Sequence, residues 1–418
     1  MEFITIKGFK DILPDEVGTW QRLELEARKV FRCFGFKEIK PPILEKTELF
    51  SRSIGEDTDI VAKEMYSFKD IKERDLTLRP EATASVVRAY IQHRLYEKNP
   101  VQKLFTIGPM FRHERPQKGR LRQFHQINAE ILGDPGPRSD ADLIVMAMAL
   151  LESLGLSSVT LNLNSLGCPA CRISFKQDLQ GYLSQKADDL CPDCKKRAHT
   201  NPLRVFDCKV ETCTSLFSDA PSILDYICED CQGHFHSLQD YLSNSEIPFV
   251  LNPKLVRGLD YYTRTTFEIQ TSELGAQNAI AGGGRYDGLV TLLGGPDHPA
   301  IGFAMGMERL VALLGEGKDQ DAESPALFIA ALGEQAERVV FKWISDLRRS
   351  GIWVEMDYAT KGLKGQMKKA DRLGAERVVI IGDNELTSGK AILRDMRTKI
   401  QEEVRLVDLV DNLKKLCC

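Results

Sequence analysis

The positions of the cysteines most strongly constrain how this chain can fold. Eight of the eleven cysteines lie between about residues 165 and 245, a stretch without a clear strand pattern. Amphipathic helices and short strands are indicated before this stretch, and the same patterns resume after it. The sequence therefore predicts a first domain that is interrupted by a small helical or metal-stabilised insertion and then completed.

Domain boundaries follow from these changes in pattern. Residues 1–165 and 246–315 are predicted to form one α+β domain, with residues 166–245 inserted. The segment 316–325 is polar and contains Gly and Pro, as is typical of a linker. From 326 to 418 strand-like runs alternate with helical patterns, which predicts an α/β domain with a parallel or mixed sheet.

Composition excludes several classes of protein. The longest apolar run has nine residues, Leu143–Leu151, whereas a membrane-spanning helix needs about 20. The N-terminal residues lack the pattern of a signal peptide, so we expect no membrane association, a cytoplasmic location and reduced thiols. The net charge of −4 does not indicate nucleic-acid binding, but residues 326–418 hold 17 basic and 14 acidic side chains and form the basic part of the chain.

One segment collects polar side chains in a pattern suited to ligand binding. Two strand-like runs flank the sequence RPQKGRLR, which predicts a hairpin. In strand geometry Arg112 and Glu114 share one face, and Gln126, Asn128 and Glu130 share another. An arginine fork suits a phosphate, and carboxylates suit an amine or an imidazole. A solvent-exposed sheet face would also show alternating polar and apolar residues. That alternative explains less well why four arginines lie in and beside the loop.

Four further segments are ambiguous when each is taken alone. The sequence around Glu81 and Thr83 is typical of a helix start with an acidic first turn and a cap. VRGLDYYTRTTFE fits a strand, and the three glycines before Arg285 fit either close approach to a ligand or a tight turn. IGFAMGMERL fits a buried helix with an exposed Arg309. Phosphate-binding loops, dinucleotide fingerprints and kinase motifs do not occur in the sequence.

Together, these segments closely resemble those of bacterial-type histidyl-tRNA synthetases, which are class II aminoacyl-tRNA synthetases. FRHERPQKGRLRQFHQ resembles class II motif 2, IGFAMGMERL motif 3, and GFKEIKPPILEKTELF the less specific motif 1. LVRGLDYYTRTTFE and AGGGRYDGL resemble the two segments that distinguish the histidyl branch. The resemblance implies a catalytic domain on a mainly antiparallel sheet, interrupted by the Cys-rich helical module and followed by an α/β anticodon-binding domain. Motif 1 implies a homodimer.

The resemblance also implies roles in binding ATP. Arg112 would bind the α-phosphate and the substrate carboxylate, while Glu114 would contact the adenine side. Arg309 would hold the γ-phosphate. Arg257 would lie against the α-phosphate, where it would stabilise the charge that develops in the transition state.

A second group of residues would bind the amino acid. Glu81 and Thr83 would hold the amino group of L-histidine, and Gln126 would orient the substrate at the reacting centre. An imidazole N–H needs an acceptor and the ring needs apolar walls. The resemblance implies that Glu130 supplies the acceptor and that Tyr261 and Tyr262 supply the walls.

The implied activity is the ATP-dependent ligation of L-histidine to tRNA-His through histidyl-adenylate, with Mg²⁺. On a helix, Lys361, Lys364, Lys368 and Arg372 would form one basic stripe. Such a stripe is often only solvated, but beside a synthetase-like body it favours binding of the anticodon arm. The residues Arg115, Gln117 and Arg120 are candidates for reading the acceptor end.

The cysteine spacing suggests structural Zn²⁺. Cys168 and Cys171 form one CxxC, and after nineteen residues Cys191 and Cys194 form another, which is a zinc-site spacing. Cys208, Cys213, Cys228 and Cys231 could form a second quartet. Free buried cysteines are an alternative, because histidyl-tRNA synthetases in general do not need zinc.

Two other functions compete with a synthetase. A non-catalytic paralogue that senses histidine would resemble the catalytic body, but such paralogues usually lack the C-terminal domain and several motif arginines, which this chain has. An RNA-binding module without chemistry would leave the histidine-pocket segments unexplained.

Overall fold

The computed structural model describes residues 3–55, 58–117, 119–275, 278–315, 324–359 and 362–417. The chain forms two compact units, Met1–Lys318 and Asp319–Cys418. Among the described helices, none combines the length and the hydropathy that crossing a membrane requires.

The first unit contains a large sheet and several helices. Its strands are β1 (Lys37–Glu38), β2 (Leu44–Lys46), β3 (Tyr66–Lys69), β4 (Asp75–Leu78), β5 (Gln102–Phe111), β6 (Gln123–Leu132), β7 (Val159–Ser165), β8 (Phe249–Leu251), β9 (Thr263–Thr271), β10 (Ala279–Arg285) and β11 (Ala300–Gly306). Its α-helices are α1 (Pro14–Cys33), α2 (Thr47–Ile54), α3 (Thr83–Gln92), α4 (Leu95–Lys98), α5 (Pro137–Ser153), α6 (Cys171–Ser184), α7 (Pro192–Thr200), α8 (Glu211–Leu216), α9 (Glu229–Asn244), α10 (Leu289–Leu292) and α11 (Met307–Leu314).

Eight strands form one sheet in the order β1-β5-β6-β11-β10-β9-β7-β8. Among the described residues of this sheet, pairing is parallel only between β1 and β5 and between β7 and β8, so the predicted mainly antiparallel sheet is confirmed. The predicted hairpin is also confirmed, because β5 and β6 pair from Gln102↔Leu132 to Phe111↔Gln123. Strands β2, β4 and β3 form a smaller antiparallel sheet.

One face of the large sheet carries the main hydrophobic core. In α1, apolar residues recur at helical spacing, with Trp20, Leu23, Ala27 and Phe31 all buried, and Pro14 occupies the first turn. Helices α5 and α9 contribute to the same core, together with alternate residues of β6 such as Ile127. Because side chains alternate along a strand, the polar residues of β6 point to the opposite face.

The predicted helical insertion is confirmed in its structural class. Between β7 and β8 the described chain forms four α-helices, α6 to α9, with three short 3-10 helices between them and no strand. Its small core contains Phe175, Leu179, Val205 and Phe217.

The second unit is a covered mixed sheet in the order β13-β12-β14-β15-β16. Its elements are β12 (Leu327–Leu332), α12 (Glu334–Arg349), β13 (Val354–Met356), α13 (Leu363–Arg372), β14 (Arg377–Gly382), α14 (Asp383–Ser388), β15 (Lys390–Asp395), β16 (Gln401–Arg405) and α15 (Leu409–Cys417). Side chains of α12 and α15 belong to one core, whereas those of α13 belong to another with alternate residues of β12. The helices therefore cover both faces.

The α/β class of the second unit is confirmed, but the antiparallel hairpin β15–β16 was not predicted. In β16 none of the five residues is fully buried. A strand of charged residues at a sheet edge lacks the apolar alternation that makes a strand recognisable.

Candidate active site

The polar face of β6 forms one wall of the candidate site. Asn128 and Glu130 are each 1% exposed, and Gln126 is half-buried on the same face. Glu130 pairs with Gly302 of β11, where any side chain would collide with the Glu130 carboxylate. The glycine thus lets a carboxylate lie over a neighbouring strand.

Glu130 is held by two hydroxyl groups. Thr83 Oγ1 donates to Glu130 Oε1 at 2.9 Å, and the Tyr286 hydroxyl donates to Oε2. Burial raises the pKa of Glu130 to about 8, although both hydroxyl donors act in the opposite direction. The nearby Glu81 adds to the rise. Burial therefore favours the neutral form of the Glu130 carboxyl group.

Glu81 lies just before α3 rather than in its first turn, contrary to the expected acidic first turn. Its two carboxylate oxygens accept from the backbone N–H groups of Thr83 and Ala84, at 2.7 and 2.9 Å. Burial raises the pKa of Glu81, and the backbone donors oppose the rise. The carboxylate therefore caps the helix from inside the protein.

Tyrosine rings form the apolar part of the site. Tyr261 and Tyr262 lie in the connection before β9, not in a strand, with ring centroids 4.8 Å apart. Tyr286 packs edge-on against Tyr261 at 5.4 Å. Tyr286 was not among the predicted site residues, although it stands next to Arg285 in the segment AGGGRYDGL.

Arg257 lies over the middle of β10. Its guanidinium pairs with Glu268 of β9, and any side chain at Gly282 would collide with it. The three glycines are thus part of a strand, and the alternative of a tight turn is wrong. A side chain at Gly283 or Gly284 would instead collide with the backbone of a neighbouring strand, at the carbonyl oxygens of Gly302 and Thr265 respectively.

Arg285 is a structural residue. It is fully buried, and its Nε donates to Asp140 Oδ1 at 2.8 Å. The same carboxylate accepts from Thr265 at 2.6 Å and lies 2.8 Å from His234 Nε2. These contacts join β9, β10, α5 and α9 behind the site.

The described residues between β5 and β6, 112–117 and 119–122, bring further charges to the same face. Arg112 Nε donates to the Pro80 carbonyl at 2.9 Å, and its Nη1 lies 3.9 Å from Glu114 Oε1. Arg120 pairs with the other oxygen of Glu114 at 3.0 Å. Arg115, Gln117 and Arg120 are exposed.

Arg309 lies in α11, directly after β11. The predicted arrangement of small residues before this helix is confirmed. Arg309 is half-buried, however, and not exposed as expected. Its guanidinium donates a hydrogen bond to the Ala279 carbonyl. It borders a cavity of about 910 Å³ that is also lined by Gln117, His125 and Glu308.

Several buried polar atoms of this face have no hydrogen-bond partner among the described residues. They are Gln126 Oε1, Asn128 Oδ1 and Arg257 Nε. Buried polar atoms are rarely left unpaired in folded proteins. These atoms therefore mark positions where a polar ligand or an ordered water molecule would supply the missing hydrogen bonds.

The cysteines form two clusters, but not the predicted ones. Cys168 and Cys171 lie beside Cys228 and Cys231, and Cys191 and Cys194 lie beside Cys208 and Cys213. The proposed quartet Cys168, Cys171, Cys191 and Cys194 is therefore not brought together, nor is the remaining quartet. Helix α6 explains this, because its 14 residues carry the chain about 20 Å away from the first CxxC.

The basic stripe lies on α13 of the second unit. Lys364, Lys368 and Arg372 are exposed. Lys361 lies outside the described residues. The neighbouring Lys369 is instead held against Asp357 at 3.1 Å.

Comparisons with known proteins show which family the chain belongs to. The family model described as "Histidyl-tRNA synthetase" matches residues 8–169 and 210–310, and the model "Anticodon binding domain" matches 326–416. A protein named histidine–tRNA ligase from Desulfatibacillum aliphaticivorans is 56% identical over 98% of both chains. One of the same name from Desulfosudis oleivorans is 57% identical over 97% of this chain and 96% of its own.

A solved structure gives the same result. The structure of S. aureus histidyl-tRNA synthetase without ligands superposes with a TM-score of 0.83 at 38% identity, and the match covers 99% of this chain and 100% of the other. Sequence and fold thus agree along almost the whole length, and the chain belongs to the histidyl-tRNA synthetase family.

Proposed function

We propose that this protein ligates L-histidine to tRNA-His through an enzyme-bound histidyl-adenylate, at the expense of ATP and in the cytoplasm. The observation that carries the proposal is the surroundings of Glu130. A buried carboxyl group held by Thr83 and Tyr286 lies near the rings of Tyr261 and Tyr262. An imidazole offers the matching flat ring with an N–H donor.

L-Histidine would bind with its two ends on opposite sides of Thr83. Glu130 would accept a hydrogen bond from the imidazole, while Glu81 and Thr83 would hold the amino group. Each carboxylate oxygen has two acceptor positions. The backbone bonds to Glu81 therefore leave room for an ammonium group.

The first chemical step would be attack of the histidine carboxylate on the α-phosphorus of ATP. The new C–O–P bond forms in line as the bond to pyrophosphate breaks. Arg112 and Arg257 would bind the α-phosphate, Arg309 the γ-phosphate, Glu114 the adenine side, and Gln126 the reacting centre. This chemistry depends on positioning and on charge stabilisation rather than on a protein nucleophile.

Mg²⁺ would enter together with ATP. This ion is commonly held by substrate phosphates and by one or two protein carboxylates. Glu268, a half-buried carboxylate beside Arg257 with 17% of its side chain exposed, fits this role. Mg²⁺ would neutralise phosphate charge during the step.

In the second step a hydroxyl group of the terminal tRNA ribose would attack the carbonyl carbon of histidyl-adenylate and release AMP. The exposed Arg115, Gln117 and Arg120 would contact the acceptor end. Lys361, Lys364, Lys368 and Arg372 would contact the anticodon arm.

The predicted domains divide these tasks. Residues 1–165 and 246–315 would form the catalytic domain, 166–245 the insertion, 316–325 the linker and 326–418 the anticodon-binding domain. The likeness of residues 35–50 to motif 1 supports a homodimer.

The decisive experiment is ATP–pyrophosphate exchange, measured with each of the twenty amino acids, followed by charging of tRNA-His. Exchange that depends on histidine alone and a charged tRNA are expected. Exchange with another amino acid would overturn the role of Glu130. Histidine binding without exchange would instead favour a non-catalytic histidine sensor.

A further inference from the structure

The insertion contains two compact clusters of sulfur atoms. In each cluster the four Sγ atoms all lie within 4.8 Å of one another. The pair Cys168–Cys171 is separated by 3.4 Å and the pair Cys191–Cys208 by 3.8 Å. Four ligands at the Zn–S distance of about 2.3 Å in a tetrahedron lie about 3.8 Å apart. The spacing therefore fits one zinc ion per cluster.

The two clusters are nested along the chain. The outer cluster takes Cys168 and Cys171 from the beginning of the insertion and Cys228 and Cys231 from the start of its last helix. All four members of the inner cluster lie between these pairs. The members of the inner cluster are Cys191, Cys194, Cys208 and Cys213.

Backbone N–H groups donate to several of these sulfur atoms. Cys228 N lies 3.1 Å from Cys171 Sγ in the outer cluster. In the inner cluster, Cys191 N lies 3.2 Å from Cys213 Sγ, and Val210 N lies 3.4 Å from Cys208 Sγ. Donors around a thiolate orient it and offset its negative charge. Such donors are expected around metal-bound thiolates and are not needed by apolar thiols.

Disulfides and isolated core thiols fit this arrangement less well than metal sites do. A disulfide requires about 2.05 Å between sulfur atoms, and the described cysteines are all free. Cysteines that only fill space in a hydrophobic core are not expected to place four sulfur atoms close together. Two independent convergences of four sulfur atoms instead match the geometry of tetrahedral thiolate sites.

We infer that the insertion binds two structural zinc ions, one in the outer and one in the inner cluster. Binding of each ion forms four Zn–S bonds and releases four thiol protons to solvent. The family model for histidyl-tRNA synthetase matches up to residue 169 and resumes at 210, so much of this metal-binding segment lies outside the family pattern. The ions compensate for the small core of the insertion.

The outer ion lies beside a contact with the substrate pocket. Arg172 follows Cys171, and its guanidinium donates to the backbone carbonyls of Leu166 and Tyr262. The inner ion binds cysteines on both sides of Asn201 in the chain and so stabilises the segment around it. The Asn201 side-chain amide donates a hydrogen bond to Asp260 at 2.9 Å. Each ion thus stabilises one connection between the insertion and the loop 257–262.

The number of ions is tested on full-length protein purified without chelators. Native mass spectrometry and elemental analysis should find about two zinc ions per chain. Cys33→Ser provides the control, because Cys33 is exposed and belongs to neither cluster. Only traces of zinc, iron in its place, or disulfides in the freshly purified protein would overturn the inference.

Nesting is tested by two double variants that remove the same number of cysteines. Cys168→Ser/Cys228→Ser should lose one ion and keep the other, because both residues belong to the outer cluster. Cys168→Ser/Cys191→Ser should lose both. If the CxxC motifs instead paired in chain order, these two outcomes would be exchanged.

A measurement on the unmodified protein does not depend on the folding of the variants. Zinc is withdrawn gradually with a chelator, and newly exposed thiols are alkylated and located by mass spectrometry. Cys168, Cys171, Cys228 and Cys231 should become reactive as one group and the inner four as another. Joint release of Cys168 with Cys191, in a group that excludes Cys228, would overturn the nested assignment.

Discussion

Ionisable side chains are held in very different ways in the candidate site and on α13. In the pocket, Glu130 and Arg257 each have fixed partners, and Glu130 is 1% exposed. On α13, Lys364 and Lys368 extend into solvent. Burying a charged group costs desolvation free energy, and such a group acts on what it directly contacts. An exposed charge acts at longer range, and salt screens its effect.

This difference predicts where substitutions have large effects. A substitution in the pocket removes a positioned group that water cannot replace, so its effect should be large and specific to one step. A substitution on α13 removes part of a diffuse attraction, so its effect should be small and dependent on ionic strength. Substitutions in the two regions can therefore test whether their charges act in these two ways.

The largest effect is expected for Arg257→Ala. Loss of a donor that stabilises developing charge should lower the rate of adenylate formation about 10²–10³-fold, with little change in the KM for ATP. Single-turnover kinetics measures the rate. Arg88→Ala is a matched control, because Arg88 pairs with Glu45 at similar exposure outside the site. An equal loss in rate and in ATP affinity would contradict a role in the transition state.

A smaller effect is expected for Tyr286→Phe. Removing the hydroxyl leaves one oxygen of Glu130 without its donor, so the KM for histidine should rise about tenfold. The KM for ATP should stay nearly constant. Tyr226→Phe is the control, since the Tyr226 hydroxyl donates to Asp178 at 2.7 Å on the surface. A fall in kcat without a change in histidine KM would argue against this positioning role.

The pH dependence of stability tests whether Glu130 is held neutral. Its pKa of about 8 lies above that of an unfolded glutamate, so the folded protein keeps a proton that the unfolded chain loses. The cost of burying Glu130 is small at about pH 5 and grows until the pH reaches about 8. Glu130→Gln should therefore raise Tm relative to the wild type increasingly between these pH values.

Thermal unfolding of both proteins without substrates measures this difference. Glu334→Gln serves as the control, because Glu334 is exposed on α12. A constant difference in Tm across the range would show that the Glu130 side chain is ionised in the pocket.

The smallest effect is expected for Lys364→Glu/Lys368→Glu. Affinity for tRNA-His should fall several-fold at physiological salt, and the dependence of log Kd on log salt should flatten by about one to two units. Adenylation should be unchanged. Lys342→Glu/Lys415→Glu changes charge equally on α12 and α15, which pack on the other side of the sheet. Equal losses in the two variants would indicate only a general effect of charge.

Much of the site could be predicted because alternation along a strand is a local property. Gln126, Asn128 and Glu130 share one face whatever the rest of the chain does. The hairpin β5–β6 likewise follows from two matching runs and a loop between them. Family resemblance then supplied roles for these side chains that alternation alone cannot give.

Other features depend on contacts between distant parts of the chain. Tyr286 reaches Glu130 only because β10 and β6 both pair with β11. The partners of each CxxC depend on the path of α6 and α9, so spacing alone did not identify them. Hairpin β15–β16 was missed because its outer strand has no buried residue.

The nested cysteines have a consequence for the order in which the protein forms during synthesis. The inner cluster is complete once residue 213 has left the ribosome, whereas the outer cluster must wait for residue 231. The entropic cost of closing a loop grows only slowly with loop length. Folding of the inner segment first therefore lowers the entropic cost of closing the outer loop only slightly. The early inner cluster instead prevents mispairing. When Cys228 and Cys231 leave the ribosome, the four inner cysteines already share one zinc ion and are not available as ligands for the outer one.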